Sequence, residues 1–596
     1  MSEEMKKTIY HILGVALVAV AAASCFKLDE TPYDRVDKTN YYKDENSVKG
    51  AVAAAYAEPT KAIQYFYQLN EFSADQITWR VWNGGLWGWD EAMKFVLTSH
   101  TWTEESTIIR DAWNNTWTTI GLTNNIINDL STIDPATLGM SQEKVNSYIA
   151  EVRALRAWSY YKLFEVWGGA LPLNTGVSTD VPPSASTDFA EGCKIIFNFI
   201  VKELDETVDA LPQNSINRMN QAMNRMLKAR LLLNAKLFIG EDRFTECAGI
   251  CQDIIDGKFG AYSLADDFRE LFGKDNDKSQ EIIYATAMDI NYSEFDAHNY
   301  RHMAYAYNSW DAFGFSTDAS GWNCTCLVPS RDNSDGDGMT VGKGVSFLEA
   351  PYNDKLGAPF ERLDDRDIRK QAFHCTEAGE WNGGMFLMGP QYVYGTTEPL
   401  LADADREGQK LVYVDQVGTF QNIGKNLETV MSARWGETNS GFRLVKYPIY
   451  PDAVGWDYRN TDEVEFRLAE AYYMLAECNL RGVATTKSAK DLVNDVRKRY
   501  FSSADRSAAI AIPGPGFTDF DLDWMLSEWG KEFIAEGQRR RTDLRRFDKF
   551  TQGKWWFFGR TDEGYPAQRN TKYEWFPLPA VALTVNPGLV QNPNYK

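Results

Sequence analysis

Apolar residues recur at helical spacing through several long segments of the chain. In residues 141–168, Ser141 stands where an N-cap belongs, with Glu143 two residues on, and Gly168 and Gly169 stop the run. Between them Val152, Leu155, Trp158, Tyr161, Leu163, Phe164 and Val166 cover more than one helix face. That breadth predicts a helix buried between neighbours rather than one lying on a surface. Residues 219–240 read the same way and end at Gly240, and a shorter helix over 243–257 ends at Gly257. Far downstream, 461–482 predicts one helix capped by Thr461 or Asp462, with Val464, Leu468, Ala471 and Leu475 along one stripe. Its antiparallel mate is expected over 488–500.

Helix pairs with small residues at crossing points resemble tetratricopeptide units, but the spacing is irregular and the strict repeat signature is missing. The pattern therefore predicts a mainly α protein of degenerate tetratricopeptide-like pairs. Between about 260 and 460 no long helical period survives, and Gly, Asn, Asp, Pro and aromatics dominate. Two hundred residues are too many for a single loop of a compact domain. They predict an inserted loop-rich subdomain carried on the helices, the kind of place where binding residues collect.

The N-terminus holds a different signal. Lys6 and Lys7 precede an apolar run from Ile12 to Ala23, about a dozen residues against the roughly 20 needed to span a membrane. A charged start, a short apolar middle and small residues at the end read as a secretory signal, with Met5 a better start than the acidic MSEE. The AASC that closes it resembles a bacterial lipoprotein box, which makes Cys25 a lipidated N-terminus. The division expected from these features is 1–24 signal peptide, 25–259 N-terminal helical region, 260–460 loop-rich ligand-binding subdomain and 461–596 C-terminal helical region and tail.

Charge narrows the partners. Lys+Arg 62 against Asp+Glu 83 gives a net charge of -21, which repels phosphate backbones and argues against nucleic acid. Beyond Cys25 the cysteines are Cys193, Cys247, Cys251, Cys324, Cys326, Cys375 and Cys478. No histidine sits near them to complete a zinc set, so they read as buried or free thiols with no metal expected. His298 and His302 are four apart, yet HNYRH lacks the acid of a zinc-protease motif. Residues 331–342 hold Asn333, Asp335, Asp337 and Gly338 at calcium-loop spacing, but Gly344 stands where the twelfth ligand, a Glu, is required. An Asp- and Gly-rich turn explains that stretch, with calcium at the Asp335/Asp337 loop as the one alternative to an absence of cofactors.

Glu528, Glu532 and Glu536 recur every four residues, which on a continuous helix puts them on one face, with Arg540 four further on. Two neighbouring carboxylates suggest a glycosidase acid and nucleophile. Five nearby arginines (Arg539, Arg540, Arg541, Arg545 and Arg546) argue instead for ionised carboxylates in structural ion pairs, since a general acid needs a raised pKa. No phosphate-binding loop, dinucleotide fingerprint or nucleophile elbow occurs, so no enzyme activity is expected.

Aromatics supply the binding chemistry. They make up 13% of the chain, with Trp 19 and Tyr 29. Residues 75–91 place Trp79, Trp82, Trp87 and Trp89 in a Gly-rich stretch, with Asp75, Arg80, Asn83 and Asp90 beside them. Residues 307–326 add Trp310 and Trp322. Sugars present axial C–H faces to indole rings and hydroxyls to flanking polar groups. The expected glycan-binding residues are therefore Trp82, Trp87, Trp89, Asp75, Arg80, Asn83, Trp310 and Trp322.

Taken in order, several blocks resemble the SusD/RagB family of surface glycan-binding lipoproteins. They are KLDETPYDRV after Cys25, then 109–129, 150–173, DDRDIRKQAF at 364–373, 464–477 with 493–500, KEFIAEGQRRRTDLRRF at 531–547, and the tail over 573–595. Departures are the MSEE start, Ile368 where the family carries proline, and Trp529 after Glu528 where it usually has Arg. The resemblance implies a lipid anchor at Cys25 facing the cell exterior from the outer membrane, a glycan ligand, and delivery to a SusC-like TonB-dependent transporter. It places aromatic platforms in loops from about the two Trp-rich regions. A secreted glycoside hydrolase, and a helical scaffold or adhesin without glycan binding, are the alternatives.

Overall fold

The computed structural model describes residues 41–79, 96–178, 182–289, 299–306, 308–314, 321–332, 340–353, 355–402, 407–416, 438–451, 460–537, 539–555 and 570–596. Its scaffold is a stack of helices. The N-terminal members are α1 (Glu45–Ala57), α2 (Thr60–Tyr67), α3 (Thr107–Thr132) and α4 (Gln142–Trp167). They are followed by α5 (Phe189–Thr207), α6 (Gln221–Leu233) and α7 (Phe244–Ile255). In α4 the Ser141 hydroxyl accepts from the Lys144 N–H at 3.2 Å, and Gly168 ends the helix at φ 57. From Ala150 to Trp167 nearly every side chain of α4 is buried, because α3 packs on one side and α5 on the other. The α4–α5 contact closes on glycine: a Cβ on Gly169 would lie 1.9 Å from the Phe189 carbonyl oxygen.

The stack resumes on the far side of the insertion. Helices α8 (Leu468–Leu480) and α9 (Ala489–Arg497) pack as a pair, and α8 lies directly on α7. Strand β2 (Ile282–Thr286) pairs antiparallel with β4 (Glu463–Arg467), placing Ile282 opposite Arg467 and Thr286 opposite Glu463. The loop-rich chain between them therefore leaves and returns at one neck. Among the described residues it is built of turns, short helices and two-stranded pairings. The tail folds back on the N-terminal helices: the Trp167 indole donates to the Pro577 carbonyl at 2.8 Å, and that of Trp102 to the Tyr595 hydroxyl at 2.9 Å. The architecture is mainly α, with tetratricopeptide-like helix pairs interrupted by a loop-rich region.

Two sequence expectations are corrected. Residues 463–467 are strand, and helix begins only at Leu468. Val464 fits the helical stripe with Leu468, but the β2 edge recruits it and Phe466 into a ladder. Glu528, Glu532 and Glu536 do not share one helix: α10 (Leu522–Glu532) ends before left-handed Ala535 and Gly537, and α11 (Arg540–Arg546) starts afresh. The described cysteines Cys193, Cys247, Cys251, Cys324, Cys326, Cys375 and Cys478 are all buried.

Candidate functional site

The two Trp-rich segments meet. Strand β1 (Ile77–Trp79) pairs antiparallel with β3 (Thr325–Leu327), with Trp79 opposite Thr325. The chain leaving β1 and the chain reaching β3 therefore stand at the same end of this ladder, although about 240 residues separate them. Trp79 itself is core, 2% exposed and packed 5.7 Å from the Phe72 ring. Its N–H donates to the Thr98 hydroxyl at 3.1 Å, which ties together the two sides of the segment it opens. Trp82, Trp87, Trp89, Arg80 and Asn83 lie in that segment, outside the described residues.

The second segment is strapped as closely. The N–H groups of Cys324 and Thr325 both donate to the Met303 carbonyl, at 2.6 and 2.9 Å. That of Asn323 donates to Tyr305 at 2.7 Å, and that of Gly321 to Ala306 at 3.1 Å. Only glycine fits at 321, since a Cβ would stand 2.2 Å from the Tyr305 carbonyl oxygen. The excursion so closed carries Trp310 on a short helix, Ser309–Phe313. Trp310 and Trp322 are both half-buried against the core. Arg443, fully buried, donates to the carbonyls of Thr438, Ser440 and Gly441 and to Oδ1 of Asn323, the neighbour of Trp322, and stacks 4.4 Å from the Tyr413 ring. This guanidinium braces the chain at Asn323.

Asp75 was expected to face a sugar beside the tryptophans. The structure instead pairs both its oxygens with Arg540, at 2.7 and 2.9 Å, in a buried position. Its role there is to fasten α11 to the chain leading into β1.

The remaining carboxylates of interest form the lining of the neck. Arg467 reaches Glu281 at 2.9 Å, Glu532 at 2.8 Å and also Glu536. Arg499 joins Glu532 at 2.7 Å, and Arg369 reaches it at 3.3 Å. Burial would push the Glu532 carboxyl up, but Arg467, Arg499 and Arg369 overcome it and hold the group well below the usual carboxylate range. That is the electrostatics of a structural ion pair, opposite to what a general acid needs. The Asp335/Asp337 loop lies outside the described residues. Among the described residues no group of three or more His, Cys, Asp or Glu side chains is arranged to hold a metal ion.

Two hollows deserve comparison. The larger, about 850 Å³, lies at the neck between α1 and the chain flanking β2 and β4. Of its tyrosines, Tyr148 and Tyr284 are buried, and Tyr56 spends its hydroxyl on Glu151 at 2.7 Å. Several of its wall charges are paired, Arg218 with Glu151 and Asp275 with Lys278. The second, about 550 Å³, lies in the loop-rich region and shares its wall with the helix that carries Trp310. Its exposed ring is Tyr392, which sequence reasoning missed. The alternation of Tyr392 and Tyr394 just before Gly395 was the available signal.

A helical-repeat stack interrupted by a loop-rich region, with aromatic segments from both halves laced together, defines an interrupted solenoid that presents a binding face. The SusD family model matches residues 280–595, and the chain belongs to that family. It is 27% identical over 545 residues to the starch-binding protein SusD of Bacteroides thetaiotaomicron, covering 89% of this chain and 85% of that protein. Among solved structures it is similar to surface glycan-binding protein A from Bacteroides uniformis, with TM-score 0.62 and 17% identity over 93% of this chain and all of that one. It also resembles the Bacteroides thetaiotaomicron surface glycan-binding protein A solved with laminarihexaose, with TM-score 0.54 and 16% identity over 93% of this chain and all of that one.

Proposed function

We propose that this protein captures an oligo- or polysaccharide at the cell surface and passes it to a SusC-like TonB-dependent transporter in the outer membrane. Cys25 carries the lipid that anchors it, facing outward. The helical pairs present the transporter-facing surface, and the loop-rich region takes the glycan. Binding is by stacking: Trp310 and Trp322, with Trp82, Trp87 and Trp89 from the other segment, offer ring faces, while Arg80 and Asn83 meet sugar hydroxyls. One ring contributes roughly 1 kcal/mol beyond area burial, so affinity comes from several rings acting together. No bond is broken. Glu528, Glu532 and Glu536 are engaged in buried ion pairs by Lys531, Arg467, Arg499 and Arg369.

The observation that carries this reading is the β1–β3 pairing, which sets the ends of two Trp-rich segments side by side. The starch-binding and laminarihexaose-bound relatives support a glycan as the cargo. The test is native affinity electrophoresis of the purified protein in gels containing a panel of polysaccharides, with each mixture assayed for released reducing ends. Retardation by a glycan without release is the expected result. Release of reducing ends would refute the non-catalytic assignment, and migration unchanged by every glycan would refute a glycan cargo.

A further inference from the structure

We propose that the 550 Å³ hollow beside the Trp310 helix is a second sugar subsite, which takes the continuation of a neutral glycan chain bound at that tryptophan. The inference rests on the glycan-binding reading and extends it to ligand length and charge.

The hollow is built from two loops, 372–377 and 386–396, with Ala312 from the Trp310 helix completing the wall. The three pieces are fastened together. The Tyr394 N–H donates to the Asp311 carbonyl at 2.8 Å, and the Phe373 N–H to the Phe386 carbonyl at 2.8 Å. Gly314, which ends the Trp310 helix at φ 76, lies against the Tyr394 ring so closely that a Cβ would come within 2.3 Å of it. The hollow and the tryptophan thus sit on one unit.

Its chemistry matches a sugar. Tyr392 is 47% exposed, large for an aromatic side chain, and supplies a ring against which a pyranose can stack. His374 and Glu377 are exposed in the same wall, and among the described residues neither side chain has a hydrogen bond or ion pair. They are placed to meet hydroxyls. The volume falls within the range of small-ligand sites. Among the described residues no lysine or arginine lines the hollow and Glu377 is its one formal charge, while the whole chain carries -21. A uronate or sulfate group would meet repulsion with no compensating cation, so the subsite selects a neutral chain.

The experiment is calorimetric titration of the full chain and of its Tyr392→Ala variant. The probes are neutral α-1,4- and β-1,3-linked glucan disaccharides and hexasaccharides, together with an oligogalacturonate. The unmodified protein is expected to bind one neutral hexasaccharide more tightly than its disaccharide, and to bind the oligogalacturonate no more than weakly. Tyr392→Ala should weaken hexasaccharide binding about three- to tenfold and leave disaccharide binding at the tryptophans unchanged. Hydrogen exchange should show protection of 386–396 by the hexasaccharide alone. A hexasaccharide bound equally well by the variant, with 386–396 unprotected, would overturn the subsite while leaving glycan binding intact. Preferential binding of the oligogalacturonate would overturn the neutral-chain assignment. An unmodified protein that binds none of these probes and no polysaccharide in the gels would overturn both readings.

Discussion

Glu71 makes a sharp test of the physical reasoning. It lies in the buried π-helical turn Gln68–Phe72, between α2 and β1, and neither carboxylate oxygen has a hydrogen-bond partner. Burial pushes its carboxyl from 4.5 up to about 8. The main-chain N–H and guanidinium of Arg540 pull the other way without a hydrogen bond of normal geometry, and Asp543 and Asp75 push up further. Tyr67 is a further titratable neighbour. The folded protein thus keeps a proton that the unfolded chain releases above pH 4.5. In that window stability falls as pH rises, by about 1.4 kcal/mol per pH unit, and levels off above pH 8. Glu71→Gln removes the titration and loses no hydrogen bond. The variant should match the unmodified protein near pH 4.5, exceed it by about 3 kcal/mol at pH 7, and by about 5 kcal/mol above pH 8. With an unfolding entropy of about 2.1 cal/mol/K per residue over 596 residues, 3 kcal/mol is a melting-point gain of roughly 2–3 °C. Scanning calorimetry from pH 4.5 to 8.5 reads it directly. A constant difference across that range, or a variant less stable at pH 7, would refute the assignment of a desolvated, unpaired carboxyl.

Glu532→Gln leaves Arg467, Arg499 and Arg369 short of a negative charge in the core, and should cost about 3–5 kcal/mol in denaturant unfolding at pH 7. Because the folded carboxyl is held low, the stability it contributes is present above the unfolded value of 4.5 and lost as pH falls through its folded value, so the variant should show a shallower acid limb. Gly169→Ala drives a methyl group into the Phe189 backbone and should lower stability by about 1–3 kcal/mol, seen as a reduced thermal midpoint. Trp310→Ala and Trp322→Ala should each weaken glycan binding roughly three- to tenfold in affinity gels, whereas a protein using only its helices to bind would be unaffected.

Local chemistry made the long helices legible. Ser141 and Gly168 bound α4 because a hydroxyl cap and a left-handed stop act within one turn. The breadth of its apolar face foretold burial on two sides. Strand β4 was not legible, since Val464 continues a helical stripe through Leu468 and the choice is made by Ile282–Thr286, about 180 residues away. The end of α10 was missed because Glu532 and Glu536 keep helical spacing; both converge on Arg467, whose position only the β2–β4 pairing fixes. The aromatic segments were found by composition alone. Composition could not reveal that Trp79 is core, that Asp75 belongs to Arg540, or that Tyr392 stands exposed beside the Trp310 helix.

The packing of α8 on α7 across the inserted region carries a consequence for how much that region can vary. Roughly 210 residues separate Ile255 from Leu468, and the entropy of bringing those ends together grows only with the logarithm of the intervening length. Closing such a span costs about 5 kcal/mol, but doubling it adds only about 0.6 kcal/mol. Loops between β2 and β4 are therefore free, thermodynamically, to lengthen, shorten or change their aromatic residues while the helices keep their contacts. One scaffold can present very different surfaces, and the gene encoding it can diversify in the region that meets the environment without renegotiating the part that holds the molecule together.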